Sequence, residues 1–142
     1  MFARSRGCGT PGTMMKSTAE DVDMGNEKAV LFIGANRPIV GREPEAMQMW
    51  SEAGAWFDAQ QKLGYFARWD SFWLTPHGGD LNNAFVCYGE RVKLDEWRRT
   101  DEFEAFVFRL SSCMMNPGVI PGVNYAAAKE TMDRRAKAVG TR

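Results

Sequence analysis

The chain has 142 residues, 44% of them hydrophobic, and its 18 basic and 18 acidic side chains give a formal net charge of zero. That length fits one domain with short extensions, and a neutral chain has no global field that would favour nucleic acid or an anionic membrane. No apolar run approaches the roughly 20 residues that a membrane-spanning helix needs, so we expect neither a nucleic-acid nor a membrane partner.

Cysteine and histidine are both scarce. The cysteines are Cys8, Cys87 and Cys113, the one histidine is His77, and no CxxC or Cys/His cluster is present. This pattern argues against a zinc site, and an odd cysteine count without a secretion signal favours a reducing cytoplasm. The sequence also lacks phosphate-binding, dinucleotide and nucleophile-elbow motifs, so we predict no metal and no cofactor.

Composition divides the chain into three segments. Residues 1–27 are polar and lack the apolar core of a signal peptide, and this composition predicts a disordered N-terminal extension. Residues 28–124 contain the strand and helix patterns of one domain. Residues 125–142 form a C-terminal tail with a thin apolar stripe, which predicts a marginal helix that needs a surface to dock on.

The first half of the domain predicts a strand followed by a long helix. Ala29–Ala35 is a short apolar run typical of a buried strand, and Pro38 ends it. Pro44 suits the first turn of a helix, and Gly64 suits the position just beyond its end. Apolar residues recur between them at steps of three and four: Ala46, Met49, Trp50, Ala53, Trp56, Phe57 and Leu63.

The middle of the chain predicts a β-hairpin. Tyr65–Leu74 is rich in aromatic residues and alternates, with Phe72 on one face and Trp69 and Trp73 on the other. Ala84–Tyr88 is the next strand. The segment Thr75–Asn83 joins the two strands.

The last part of the domain predicts two helices and a strand. Val92–Arg98 is a short helical stretch, and Thr100 is a helix N-cap with two acidic residues after it. The following apolar stripe consists of Phe103, Phe106, Val107, Leu110 and Met114. Val119–Val123 is a final strand, which Pro121 restricts to a sheet edge or a bulge.

This order predicts an α+β, ferredoxin-like β-α-β-β-α-β fold, a four-stranded antiparallel sheet with its helices on one face. The strands nevertheless read as apolar on both faces. Phe32, together with Trp69 or Trp73, should therefore face something other than water. Packing two sheets face to face would bury these residues, so we predict a homodimer.

Three motifs carry a resemblance to a known superfamily. Phe32-Ile33-Gly34 with Gly41-Arg42-Glu43, then Pro76-His77-Gly78-Gly79-Asp80-Leu81-Asn82, and then Lys93-Leu94-Asp95 leading to Asp101-Glu102-Phe103 resemble dimeric α+β barrel proteins. More narrowly, the chain is similar to uncharacterised bacterial members with the PHGGDLN-type motif. The resemblance spans about residues 28–123. It implies two ferredoxin-like subunits forming one barrel, in a superfamily of cofactor-independent monooxygenases, isomerases, decarboxylases, haem-handling enzymes and ligand-binding regulators.

The candidate catalytic residues are His77 and Asp80. Histidine is the side chain whose unperturbed pKa lies near neutrality, so His77 could act as general acid or base, while Asp80 is close enough in sequence to orient its ring. Asn82 and Asn83 could hold a carbonyl or an oxyanion. The structural alternative is that Gly78-Gly79 simply forms the hairpin turn and that Asp80 accepts turn amides.

The candidate ligand-binding residues add Phe32, Arg37, Trp69 and Trp73 to the two asparagines. If a cavity remains in the barrel, the tryptophans would line it and suit a planar aromatic compound. Tryptophans at strand spacing are more often core or dimer-interface residues than a ligand-binding box, and lone arginines such as Arg37 more often pair with surface carboxylates. Two hypotheses remain: a cofactor-independent enzyme acting on an apolar or aromatic metabolite, and a non-catalytic homodimer that binds a ligand or another protein.

Overall fold

The computed structural model describes residues 27–140, so all but the last residue of the predicted disordered extension lies outside it. Four strands and four helices are present in this part of the chain: β1 (Ala29–Ala35), α1 (Glu43–Lys62), β2 (Arg68–Trp73), β3 (Asn83–Gly89), α2 (Arg91–Arg98), α3 (Asp101–Cys113), β4 (Gly118–Val123) and α4 (Tyr125–Gly140). None of these helices is long and apolar enough to cross a bilayer.

The strands form one antiparallel sheet in the order β2-β3-β1-β4. The apolar strand β1 is central, and its Leu31 lies between Cys87 of β3 and Pro121 of β4. Pro121 is on an edge strand, where a missing N–H is tolerated. The predicted α+β, ferredoxin-like arrangement is confirmed, with the second crossover divided between α2 and α3.

Helix α1 begins and ends where the sequence indicates. Proline occupies its first turn, and Gly64 just beyond it has φ +88°, a conformation that favours glycine. Its buried residues are Ala46, Met49, Ala53, Phe57 and Gln60. Leu63, expected on the apolar stripe, is instead 63% exposed because it lies past the last turn.

An aromatic core joins the helices to the sheet. The fully buried Phe57 ring stacks 4.4 Å from Phe85 of β3 and also contacts Trp97 of α2. The Trp97 indole N–H donates to Gln60 Oε1 at 2.9 Å, which satisfies a polar group that burial would otherwise penalise. At the start of α3, Thr100 Oγ1 accepts the Phe103 N–H at 3.2 Å, confirming the predicted N-cap.

The second face of the sheet has no helix over it within the described chain. Side chains alternate along a strand, so residues next to the buried Leu31 and Ile33 point away from the helices. We call this uncovered side of the sheet the open face. The strand register places these apolar residues on it: Val30, Phe32, Phe72, Ala84, Val86 and Ile120. Phe72 is 45% exposed and Ile120 57% exposed.

The two tryptophans of β2 lie on the other face, against α1. The Trp69 ring packs 5.2 Å from Phe57, and its indole N–H donates to Asp58 Oδ1 at 2.9 Å. The Trp73 ring lies 5.0 Å from Trp50. The expectation that either tryptophan shares a bare face with Phe32 is therefore wrong, because the register places both of them on the helix side of the sheet.

Helix α4 extends from the end of β4 and has no buried residue. Its first turn is capped by Asn124, whose Oδ1 accepts the Ala127 N–H at 2.8 Å. Tyr125, Met132 and Val139 of its apolar stripe are all exposed. Most helical stability in proteins comes from packing of an apolar face, and this helix buries no residue, so the need for a docking surface stays a prediction.

Candidate functional site

A groove of about 310 Å³ lies where the β2–β3 loop, residues 74–82, meets the chain just beyond β1. Its lining is Asn36, Arg37, Pro76, His77, Gly78, Gly79, Asp80 and Asn82. The groove thus brings together Arg37, His77, Asp80 and Asn82 from the predicted site residues. Phe32 is on the open sheet face, and Trp69 and Trp73 are on the helix face.

Amide groups fasten the loop to the sheet. Leu74 N–H donates to the Asn82 carbonyl at 2.8 Å, and Asn82 N–H donates to the Ala35 carbonyl at 3.0 Å. The Asn82 side chain donates to Asn36 Oδ1, and the buried Asn83 side chain donates to the Asn36 carbonyl at 3.1 Å. Both side-chain amides predicted to bind a ligand are therefore engaged within the fold, and their ligand role stays a prediction.

Asn36 is the residue that sequence reasoning missed. The available signal was a polar side chain placed directly after an apolar strand, where its amide could meet the returning loop. We expect Asn36→Ala to lower the free energy of unfolding by about 1 kcal/mol, the net worth of one hydrogen bond. Urea unfolding measures this loss, and amide exchange at Leu74 and Asn82 should accelerate.

The matched control for Asn36→Ala is Gln48→Ala, which removes an exposed side-chain hydrogen bond to Glu52 on α1. The control should change the free energy of unfolding by no more than about 0.5 kcal/mol, the usual range for a surface substitution. Equal effects of the two substitutions would contradict the role of Asn36 in holding the loop.

The His77 ring is oriented by a backbone carbonyl. Its Nδ1 lies 3.0 Å from the Thr75 carbonyl oxygen, which can only accept, so Nδ1 carries the proton. In the neutral ring, Nε2 then carries the lone pair. The ring lies over Gly79, where an added Cβ would be 2.7 Å from Nε2, so a side chain at this position would displace the ring.

Asp80 does not hold that ring. No hydrogen bond joins Asp80 to His77 in the described part of the chain, and the Thr75 carbonyl occupies Nδ1 instead. The predicted orienting role of Asp80 therefore has no hydrogen bond behind it here and stays a prediction. The predicted acid–base role of His77 stays a prediction.

Backbone hydrogen bonds hold the segment that contains Arg37. Asn36 N–H donates to the Met115 carbonyl, Met115 N–H to the Arg37 carbonyl and Ile39 N–H to the Cys113 carbonyl, each at 2.8 Å. Its guanidinium, in contrast, forms no ion pair with any residue from 27 to 140. The predicted alternative, a surface carboxylate partner, does not occur in this region.

The two cysteines of the described chain are poor nucleophiles. Cys87 and Cys113 are buried, and burial raises the pKa of each thiol, which keeps them protonated and weakly nucleophilic. Within residues 27–140, no group of three or more His, Cys, Asp or Glu side chains could hold a metal ion. The chemistry of the site therefore rests on His77, Arg37 and the surrounding polar groups.

The fold and the groove define a ferredoxin-like α+β domain with a polar groove where strands β1 and β2 end. No family model matches the chain, and no curated protein matches it. It is similar to a solved structure from Bacteroides fragilis NCTC 9343, described as a dimeric protein of unknown function with a ferredoxin-like fold. The TM-score is 0.50 at 12% identity, over 70% of this chain and 99% of that one. At this identity, the likeness concerns the fold alone.

Proposed function

We propose that the protein is a homodimer of the dimeric α+β barrel type that binds a small molecule in the groove beside His77. The observation that carries this proposal is the open, apolar sheet face, with Phe72 and Ile120 among its exposed side chains. A contiguous apolar surface on a soluble domain usually marks an interface or a ligand groove. The similar Bacteroides fragilis protein is described as dimeric, which supports the same assembly here.

The charged strand residues of this face, Arg68 and Asp70, lie on the edge strand β2. Arg68 lies 3.7 Å over the Tyr88 ring and pairs with Glu27 and Asp70, each at 2.9 Å. Because these charges satisfy one another, they leave the centre of the face, around Phe32, free to pack against a second sheet. The buried, unpaired cysteines fit the reducing cytoplasm that we include in the proposal.

The open face and the groove are adjacent. An added Cβ on Gly34 would lie 2.7 Å from Phe32 and 2.8 Å from Leu81, so these two side chains meet over that glycine. Leu81 belongs to the same loop as His77. A ligand with an apolar, planar body resting on Phe32 and Leu81 would therefore have its polar end in the groove.

Catalysis is the second candidate, and the contact between His77 and Thr75 favours it. The contact presents Nε2 as a proton acceptor in a fixed ring, which is the arrangement that a general base needs. The reaction would begin with cofactor-independent removal of a proton from an apolar or aromatic metabolite. Return of the proton at another atom gives an isomerase, whereas oxidation of the resulting carbanion by dioxygen, with one oxygen atom kept in the product and the other released as water, gives a monooxygenase. If Nε2 meets no substrate proton, the protein is a binding module.

Light scattering at micromolar concentration tests the assembly. We expect a mass of twice the 16.0 kDa chain, because one sheet face is left apolar in the isolated chain. Hydrogen exchange should show protection of β1 and β2 that is lost on dilution below the dissociation constant. A stable 16.0 kDa species with protected strands would contradict the barrel.

A further inference from the structure

We infer that the groove beside His77 recognises a small molecule through a single carboxylate held by Arg37. This inference rests on the proposed ligand-binding function and adds the charge class of the ligand. The groove contains one guanidinium and one carboxylate, those of Arg37 and Asp80. Neither pairs with the other or with any other residue between 27 and 140.

The Arg37 guanidinium has no carboxylate partner within residues 27–140. Exposed arginines commonly pair with nearby carboxylates, as Arg109 does with Glu52 at 2.6 Å. Arg37 lacks such a partner although its backbone is fixed by the bridge between Pro38 and Met114 and by the bonds to Met115. A guanidinium that extends from such an anchored backbone into a groove can bind a carboxylate in a two-pronged geometry.

Backbone N–H groups add further donors to the groove. Gly78 and Gly79 line the same groove, and their N–H groups donate to no atom within the described residues. Gly78 has φ +80°, a turn conformation that frees successive N–H groups from regular secondary structure. Such N–H groups can donate to a bound anion and so replace the water molecules that the anion loses on binding.

Asp80 sets the charge of the ligand. Its carboxylate lines the groove with Arg37, so one ligand carboxylate can offset this repulsion by pairing with Arg37, whereas a second negative charge would find no further lysine or arginine among the lining residues. The class is therefore a monoanion, and a phosphate dianion is disfavoured. The apolar part of the ligand would lie towards Leu81 and Phe32, which makes an aromatic or branched carboxylic acid the best match.

The experiment is an NMR titration of the ring signals of His77, the chain's one histidine, with benzoate, benzamide and inorganic phosphate. Benzoate and benzamide share a shape and differ in charge. We expect a saturable shift with benzoate, with a dissociation constant on the order of 1 mM for so small a probe. Benzamide and phosphate should each bind at least about 10-fold more weakly, because benzamide lacks the charge, and phosphate lacks the apolar ring and is partly a dianion.

Two variants complete the design. Arg37→Gln should abolish the preference for benzoate over benzamide, whereas Arg99→Gln, an equal loss of charge on an exposed residue outside the groove, should retain it. Circular dichroism and light scattering on the same samples check folding and assembly.

The inference is overturned if benzoate and benzamide shift His77 equally, if neither does, or if Arg37→Gln behaves as the unmodified chain. If benzoate and benzamide bind equally to a particle of twice the 16.0 kDa chain mass, the carboxylate inference fails while the proposed ligand-binding dimer stands. A monomer that still prefers benzoate would refute the dimer while the carboxylate site stands.

Discussion

Replacing Ile120 by aspartate should convert the dimer into a monomer. Ile120 is 57% exposed and lies opposite Phe32 in the register of β4 with β1, so it belongs to the open sheet face. In a two-fold interface the substitution would bury one unpaired carboxylate from each subunit, and burial of an unpaired charge is strongly penalised. We expect the dissociation constant to rise by at least about 100-fold, or about 2.8 kcal/mol. Sedimentation over a range of concentrations measures this change.

Phe108→Asp is the matched control for Ile120→Asp. Phe108 is 78% exposed on α3, which lies on the helix-covered side of the sheet, so the charge it introduces should leave the dimer intact. Both variants should retain the helical circular dichroism of the parent. If Ile120→Asp remains dimeric at the concentrations at which the parent dimerises, the open face is not the interface.

Helices and strand order were predictable because local patterns and the tertiary structure agree. The three- and four-residue spacing of α1, the proline at its start and the Thr100 cap of α3 each depend on neighbouring residues only. The two-residue period of β2 was also predictable, including the opposite faces of Phe72 and Trp69. Alternation within one strand does not show which of its two faces lies on the same side of the sheet as a given face of the neighbouring strand.

The register between strands was the missing information, and its absence explains why Trp69 and Trp73 were wrongly expected on the same face as Phe32. The pairing of Trp69 with Cys87 and of Leu31 with Cys87 places Trp69 on the same side as the core of β1, opposite to Phe32. A shift of one residue in that register would have exchanged the faces. The sequence therefore predicted that a face is left open and identified Phe32 on it, but it could not assign the aromatic residues of β2.

Several residues that line the candidate site could be predicted from the sequence, but the contacts that they make could not. His77, Asp80 and Arg37 do line one groove, although Arg37 is separated from the other two by some forty residues of sequence. The Thr75 carbonyl that orients His77 could not be anticipated, because a loop containing Gly78-Gly79 has no period from which ring directions follow. Backbone acceptors are also invisible to motif reasoning, since every residue has one.

His77→Asn is the substitution that separates catalysis from binding. The asparagine amide can donate to the Thr75 carbonyl in place of the Nδ1–H group, so the loop contact is kept while the basic Nε2 is removed. If His77 is a general base, we expect turnover to fall by about 10²- to 10⁴-fold with the dimer intact. The measurement incubates both proteins with a cell extract under air and follows metabolites by mass spectrometry.

The readout is any compound that the parent protein consumes and His77→Asn spares. His77→Gln is the companion variant, because its longer side chain places an amide near the Nε2 position and loses the contact with Thr75. A base requires that both variants lose turnover, whereas a purely structural histidine requires that asparagine preserve function and glutamine impair it. An extract left unchanged by the parent protein would argue against catalysis, and the groove would then be a binding site in which the Thr75 contact serves only to shape the loop.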